Sequence, residues 1–241
     1  MATAENHYRT LLGPVYSWML GDLDAALARS AAEIETLPLP AARGVAVDLG
    51  AGLGLHALAL AQRGFEVVAI DNSSVLLDEM RARCGSLAIA IHHADLLEFR
   101  RFLPEQAQVI VCMGDTLTHL TALSSVESLL VEVAAALPRG GVFATTFRDY
   151  STELTGEQRF ILVRADDARI LTCFLEYQDH QVMVHDLLHE KENGRWRQAV
   201  GSYPKLRLAP AWVMSKLSEL GFSGKRDATP SSMARIVATK I

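Results

Sequence analysis

Val45-Ala46-Val47-Asp48-Leu49-Gly50-Ala51-Gly52-Leu53-Gly54-Leu55 is a short apolar run that passes straight into three glycines at alternate positions. A helical pattern, Leu55 to Gln62, starts at once. Glycines at a strand-to-helix turn let the backbone curl tightly and approach a ligand closely, because no Cβ stands in the way. The helix that follows presents unpaired N–H groups and a partial positive charge to whatever sits on the turn. The stretch predicts a strand, a nucleotide-type cofactor turn and a helix.

The spacing narrows the cofactor. A dinucleotide turn usually reads Gly-x-Gly-x-x-Gly, where the second glycine admits a pyrophosphate. Here it reads Asp-x-Gly-x-Gly-x-Gly, with Asp48 two residues ahead of Gly50. An acid in that place repels a pyrophosphate but pairs with an ammonium group. The second strand pattern, Phe65 to Ile70, ends in Asp71-Asn72, where an acid accepts from both hydroxyls of a ribose. An adenosine with a free ribose, no phosphate and an amino-acid tail suits both acids, and S-adenosylmethionine (SAM) is such a molecule. Taken singly, the acids have a plainer reading: Asp71-Asn72-Ser73-Ser74 and Asp95 also suit helix caps.

From this stretch outward, the chain divides into parts. Residues 5–36 are helical by periodicity, with a break near Gly21-Asp22, and Pro38 and Pro40 end the segment. Residues 45–147 alternate strand and helix: strands near 45–49, 66–70, 87–91, 108–112 and 140–147, helices near 53–63, 73–83 and 124–136. No helix of useful length is expected between strands three and four. After residue 158 the period changes to two over Arg159 to Arg164, Arg169 to Tyr177, Gln181 to His189 and Arg195 to Tyr203, across turns at Asp166-Asp167 and Asn193-Gly194, which predicts an antiparallel insert of about four strands. A helix from Ala211 to Leu220 and strands near 222–228 and 233–240 then complete the sheet.

Composition agrees with a folded α/β chain. Half of the 241 residues are hydrophobic and the formal net charge is −5, so a sizeable core is possible and disorder is not expected. No Lys/Arg run is present, which argues against nucleic acid as a partner. Three cysteines (Cys84, Cys112, Cys173) lack metal or disulfide spacing and suit a reducing compartment. With no signal-peptide pattern and no apolar run long enough to span a bilayer, a cytoplasmic protein without a membrane partner is expected.

Residues 45–147 resemble the Rossmann-like, class I SAM-dependent methyltransferases, with motifs in register. Asp48 to Gly54 resembles the glycine-rich first motif. Asp71 stands where the ribose-binding acid ends strand two. His93-Ala94-Asp95-Leu96-Leu97 resembles the segment whose acid contacts the adenine amino group. Val109 to Asp115, with Met113, resembles strand four and its turn, and Leu137 to Phe143 the turn into strand five. The resemblance implies a seven-stranded, mostly parallel sheet with an antiparallel last strand, an N-terminal helical lid and an antiparallel β insert. It implies SAM as cofactor and S-adenosylhomocysteine (SAH) as product, with Asp48, Gly50, Ala51, Gly52, Gly54, Asp71, Asn72, Asp95, Leu96, Met113 and Tyr16 as cofactor-binding residues. The expected division is residues 1–40 lid, 41–150 SAM-binding core, 151–208 insert serving as substrate cap or dimer surface, and 209–241 the last helix and strands of the core.

Gly114-Asp115-Thr116-Leu117-Thr118-His119-Leu120 and Phe147-Arg148-Asp149-Tyr150 resemble the glycine N-methyltransferase branch, which has Gly-Asn-Ser-Phe-Ala-His-Leu and His-Arg-Asn-Tyr there. That resemblance implies a small-molecule acceptor, an amine or amino acid, with Arg148 holding its carboxylate and His119 on the cofactor side. Asp115 departs from the branch's Asn and favours an acceptor bearing an amine or hydroxyl donor. Asp115 and His119 are the groups available to take a proton, so Asp115, His119 and Arg148 form the expected catalytic set. Of two tyrosines on the N-terminal segment, Tyr16 is preferred to Tyr8 as a contact, and Tyr203 on the insert is a weaker candidate. His180, His185 and His189 do not converge on one face with a carboxylate or cysteine, so no metal is expected. Competing readings are a methyltransferase acting on protein or RNA, a non-catalytic SAM-binding module and a nicotinamide dehydrogenase. The last is disfavoured by the glycine spacing and Asp48. The insert also leaves room for a homodimer.

Overall fold

The N-terminal segment of the computed structural model does not wind as one helix. The model describes residues 3–228 and 233–241; residues 1–2 of the expected lid and 229–232 of the C-terminal part lie outside them. Helix α1 (Ala4–His7) runs into a π-helical turn (Tyr8–Leu12), a 3₁₀ turn (Gly13–Val15) and α2 (Tyr16–Leu20). Pro14 has no N–H to continue an α ladder. A Cβ on Gly13 would stand 2.6 Å from the Tyr8 carbonyl oxygen. Eight residues of unbroken α-helix rise about 12 Å, yet the rings of Tyr8 and Tyr16 approach to 5.8 Å between centroids. Periodicity alone missed this compression. Asp22 then caps α3 (Leu23–Glu35), accepting from the N–H groups of Asp24 and Ala25.

The core sheet takes its strands in the order β10-β11-β5-β4-β1-β2-β3. Along the chain these are β1 (Val45–Leu49), β2 (Glu66–Asp71), β3 (Ile89–His93), β4 (Ala107–Cys112), β5 (Val142–Arg148), β10 (Phe222–Ala228) and β11 (Met233–Lys240). The first five are parallel; β11 inserts antiparallel between β5 and β10, as the resemblance implied. β1 is buried throughout because a central parallel strand is covered on both faces. β3 starts two residues later than its pattern suggested, since Leu87 is taken up by a turn onto the Cys84 carbonyl and Ile89 is the first residue in register with Val67.

Helices α3, α4 (Leu55–Gln62) and α5 (Ser74–Cys84) cover one face, burying Ile34, Leu60, Leu77 and Met80. On the other face α6 (Leu123–Ala136) and α7 (Pro210–Glu219) bury Leu129, Val133 and Leu217. Between β3 and β4 there is only a 3₁₀ helix, Leu96–Phe102. The insert is a separate four-stranded antiparallel sheet, β6 (Phe160–Ala165), β7 (Arg169–Tyr177), β8 (Gln181–Glu192) and β9 (Arg195–Leu206). Its inner face packs on the N-terminal segment through Leu12, Val15, Leu171, Val184 and Tyr203. That places both elements beyond the carboxyl ends of β1, β4 and β5, where the strand order reverses and open sheets bind ligands.

Candidate functional site

The glycine turn is tied back to strand two. The N–H groups of Gly50 and Ala51 both donate to the Ile70 carbonyl, at 2.8 and 3.0 Å. Asp71 Oδ2 accepts from the Gly52 N–H at 2.8 Å and Oδ1 from the Ser73 N–H at 2.7 Å. Each carboxylate oxygen keeps acceptor capacity beyond these bonds. Gly50 has φ +72°, and a Cβ there would meet the Thr116 side chain at 2.4 Å, so the turn lies directly against the loop after β4. Gly52, at φ +53°, has only Leu76 within 4 Å of its would-be Cβ, at 3.8 Å. Gly54 holds the left-handed position that starts α4.

Asp48 is 1% exposed, and its Oδ2 has no hydrogen-bond partner among the described residues. Burial pushes its carboxyl from the usual 3.8 up to about 6, against the opposing pull of His56. Asp71 is likewise raised by burial and held down by the N–H groups of Ser73, Gly52 and Asn72. A buried, unpartnered carboxylate oxygen calls for a donor; the ammonium of an amino-acid tail is one. The residues present therefore fit SAM.

Met113, Asn72, Asp95 and Leu96 are the other residues expected on the cofactor side. Met113 is buried just beyond β4, and the Asn72 carbonyl accepts from His93 Nε2 at 3.1 Å. Asp95 is exposed and caps the 3₁₀ helix, accepting from the Leu97 N–H at 2.9 Å, with Leu96 half-buried behind it. The capping reading thus holds for Asp95; α5 is capped by Ser73, whose hydroxyl accepts from the Leu76 N–H, while Asp71 steadies the Ser73 and Gly52 N–H groups.

Asp115 is the hub of the opposite side. It is 5% exposed and sits at φ +78°, a left-handed position that Asp tolerates better than most residues. Its Oδ1 accepts from the Arg148 N–H at 2.8 Å and the Thr118 hydroxyl at 2.9 Å. Its Oδ2 takes the ammonium of Lys205, itself 8% exposed, at 2.5 Å. The Arg148 guanidinium, half-exposed at the end of β5, stands 4.0 Å from the same oxygen. One carboxylate thereby joins the loop after β4, the end of β5 and the insert strand β9.

His119, Tyr8, Tyr16 and Tyr203 converge beside this hub. His119 stacks on Tyr203 at 5.5 Å and 9°, with Tyr8 edge-on at 5.6 Å. Its Nδ1 is buried without a hydrogen-bond partner among the described residues. Burial, aided by the charges of Lys205 and His7, drives the imidazole well below its usual range, so the ring is uncharged at neutral pH. Burial raises all three phenols, Tyr16 to about 12. They remain protonated donors across the working range.

Behind Tyr203, His7 Nε2 meets Asp186 Oδ2 at 2.8 Å, both buried. A Cβ on Gly201 would fall 2.5 Å from the His7 ring, so glycine there admits the imidazole. At the far end of the segment, Trp18 Nε1 donates to Asp166 Oδ2 at 2.5 Å, with Arg164 and Arg169 against its ring. The N-terminal segment is therefore clasped to the insert at both ends.

Beside the expected residues the structure places Tyr8 and Tyr203, the lesser candidates of the sequence, together with His7, Asp186 and Lys205, which the sequence did not single out. A signal for Lys205 was available. The insert's last strand was read as ending at Tyr203, whereas extending its alternation puts Tyr203 and Lys205 on one face, the inner one.

Residues 46–141 match the family model described as a methyltransferase domain. A glycine/sarcosine N-methyltransferase of Aphanothece halophytica is 28% identical over 129 residues, covering 51% of this chain and 48% of that protein. The chain spans about half the length, or less, of the curated relatives it matches. Among solved structures, the CcbJ methyltransferase from Streptomyces caelestis superposes with a TM-score of 0.77 over 98% of both chains at 20% identity. CalS10, an amino pentose methyltransferase from Micromonospora echinaspora solved with SAM bound, gives 0.73 over 90% of this chain and 91% of its own, at 17% identity. The fold is that of these solved methyltransferases.

Proposed function

We propose that the protein transfers a methyl group from SAM to the nitrogen of a small amine or amino acid, releasing SAH. The observation that carries this reading is the buried Asp48 carboxylate beside the glycine turn: the Ala57 N–H donates to it, yet its Oδ2 has no partner among the described residues. Asp48 takes the ammonium of the amino-acid tail, and Asp71 accepts from the ribose while steadying Gly52. Gly50, Ala51, Gly52 and Gly54 form the cradle, with Asn72, Asp95, Leu96 and Met113 around the adenosine. SAM supplies an electrophilic methyl on a sulfonium, so the protein's own task is alignment and exclusion of water. Tyr8, Tyr16 and Tyr203 enclose the transfer point under the N-terminal segment, which serves as the lid. Arg148 anchors an acceptor carboxylate, and the insert caps the acceptor. The amine must react as the free base, and His119 or Asp115 takes its proton. The curated relatives, named as N-methyltransferases, support nitrogen as the acceptor atom.

The test is incubation of the purified protein with SAM and a panel of amino acids, small amines and amino sugars. Formation of SAH together with a singly methylated amine supports the proposal. SAH binding without turnover on any member would favour a non-catalytic module.

A further inference from the structure

The notable departure at the transfer site is a charge pair. Asp115 stands where the resembling branch has a neutral Asn, and a buried lysine from the insert faces it. Taking two ions out of water costs several kcal/mol each and is repaid only by good geometry and further hydrogen bonds. Asp115 has both: Lys205 on Oδ2, and the Arg148 N–H and Thr118 hydroxyl on Oδ1. Two residues earlier on the same face of β9, Tyr203 lies 5.7 Å from the Lys205 ammonium and stacks on His119.

We propose that Lys205 is a positioning residue of the transfer site: its pairing with Asp115 fixes the insert on the core where Tyr203 meets His119. The same pairing removes Asp115 as a proton acceptor and leaves that role to the His119 ring. This rests on the methyl-transfer reading. In the step, the amine nitrogen forms its bond to the methyl carbon as the carbon–sulfur bond breaks with its electron pair going to sulfur. The departing N–H proton passes to His119. An uncharged imidazole with an unclaimed nitrogen suits that task, and Lys205 helps hold it uncharged. The groups facing His119 are Tyr8 and His7 from the N-terminal segment and Tyr203 and Lys205 from β9, with Asp115 four residues back in its own loop and paired to Lys205.

The experiment compares wild type with Lys205→Gln, which keeps a donor to Asp115 without the charge, with Lys205→Met, and with the double variant Asp115→Asn/Lys205→Met. Imidazole NMR, assigned by His119→Gln, should show the His119 midpoint moving up in Lys205→Gln. The acid limb of its kcat/KM profile should move up with it. Lys205→Met should lose on the order of 100-fold in kcat/KM through the stranded carboxylate, and the double variant should recover at least tenfold of that by removing the unpaired charge, while the His119 midpoint is the readout that a merely structural lysine would not move. An unmoved His119 midpoint in Lys205→Gln, or no recovery in the double variant, overturns the proposal. If wild type turns over no acceptor, the methyl-transfer reading fails, while the NMR titration still decides whether Lys205 sets the charge of His119.

Discussion

The two halves of the site are built in different ways. The cofactor half comes from segments close in sequence: a turn at 48–54 held by Asp71 at the end of the neighbouring strand. The acceptor half is assembled from far apart, with Asp115 bonded to Lys205 ninety residues on and His7 to Asp186 at a separation of 179. Local backbone demands write themselves into short motifs. Convergent side chains leave a weaker trace, because each alone reads as an ordinary strand or helix residue. The cofactor half should therefore be brittle to backbone change, and the acceptor half sensitive to charge.

The largest effect is expected at the glycine turn. Gly50→Ala forces a left-handed φ on alanine and drives a Cβ into Thr116. It should cost about 3 kcal/mol of stability in urea unfolding and abolish SAH binding. An alanine variant that binds SAH normally would break the brittleness half of the comparison.

Asp48→Asn sharpens it in the opposite direction. Because the folded carboxyl is raised to about 6, the native state holds the proton more tightly than the unfolded chain does. Stability is therefore lost as pH rises from about 4 through 6, a cost of about 3 kcal/mol above that window. The variant should be about 2 kcal/mol more stable than wild type at pH 8, after allowing for an imperfectly bonded amide. That gain should fade at pH 4, and SAH affinity should fall about tenfold. Equal stability at pH 8 would mean that Asp48 carries no buried, unpaired charge.

Trp18→Phe is the mildest. It keeps an aromatic ring packed on the insert while removing an exposed hydrogen bond and weakening two cation contacts, worth about 1 kcal/mol together. SAH should leave faster in stopped-flow displacement with its association rate little changed, if the segment is a clasped lid. An unchanged release rate would show that the Trp18 end does not gate the cofactor.

Legibility followed the same divide. The seven-stranded, mostly parallel sheet, the antiparallel insertion of β11 and the four-stranded insert all followed from glycine spacing, apolar periodicity, Asn193-Gly194 and family resemblance. The N-terminal segment read as a plain helix, because periodicity cannot register a π turn followed by a 3₁₀ turn at Gly13-Pro14. Asp115 was legible as a site residue but not as an ion-pair partner, since Lys205 lay just past the expected end of its strand. The pairing of His7 with Asp186 had no local signature at all.

The most direct test of the account is calorimetric titration of SAH into wild type, Asp71→Ala and Arg148→Ala under one buffer. Asp71→Ala removes the carboxylate that holds Gly52 and that the proposal turns to the ribose, and should bind about 100-fold more weakly. Arg148→Ala should bind SAH as wild type does. Undiminished affinity in Asp71→Ala, or a comparable loss in Arg148→Ala, would contradict the division of the site into a cofactor half and an acceptor half.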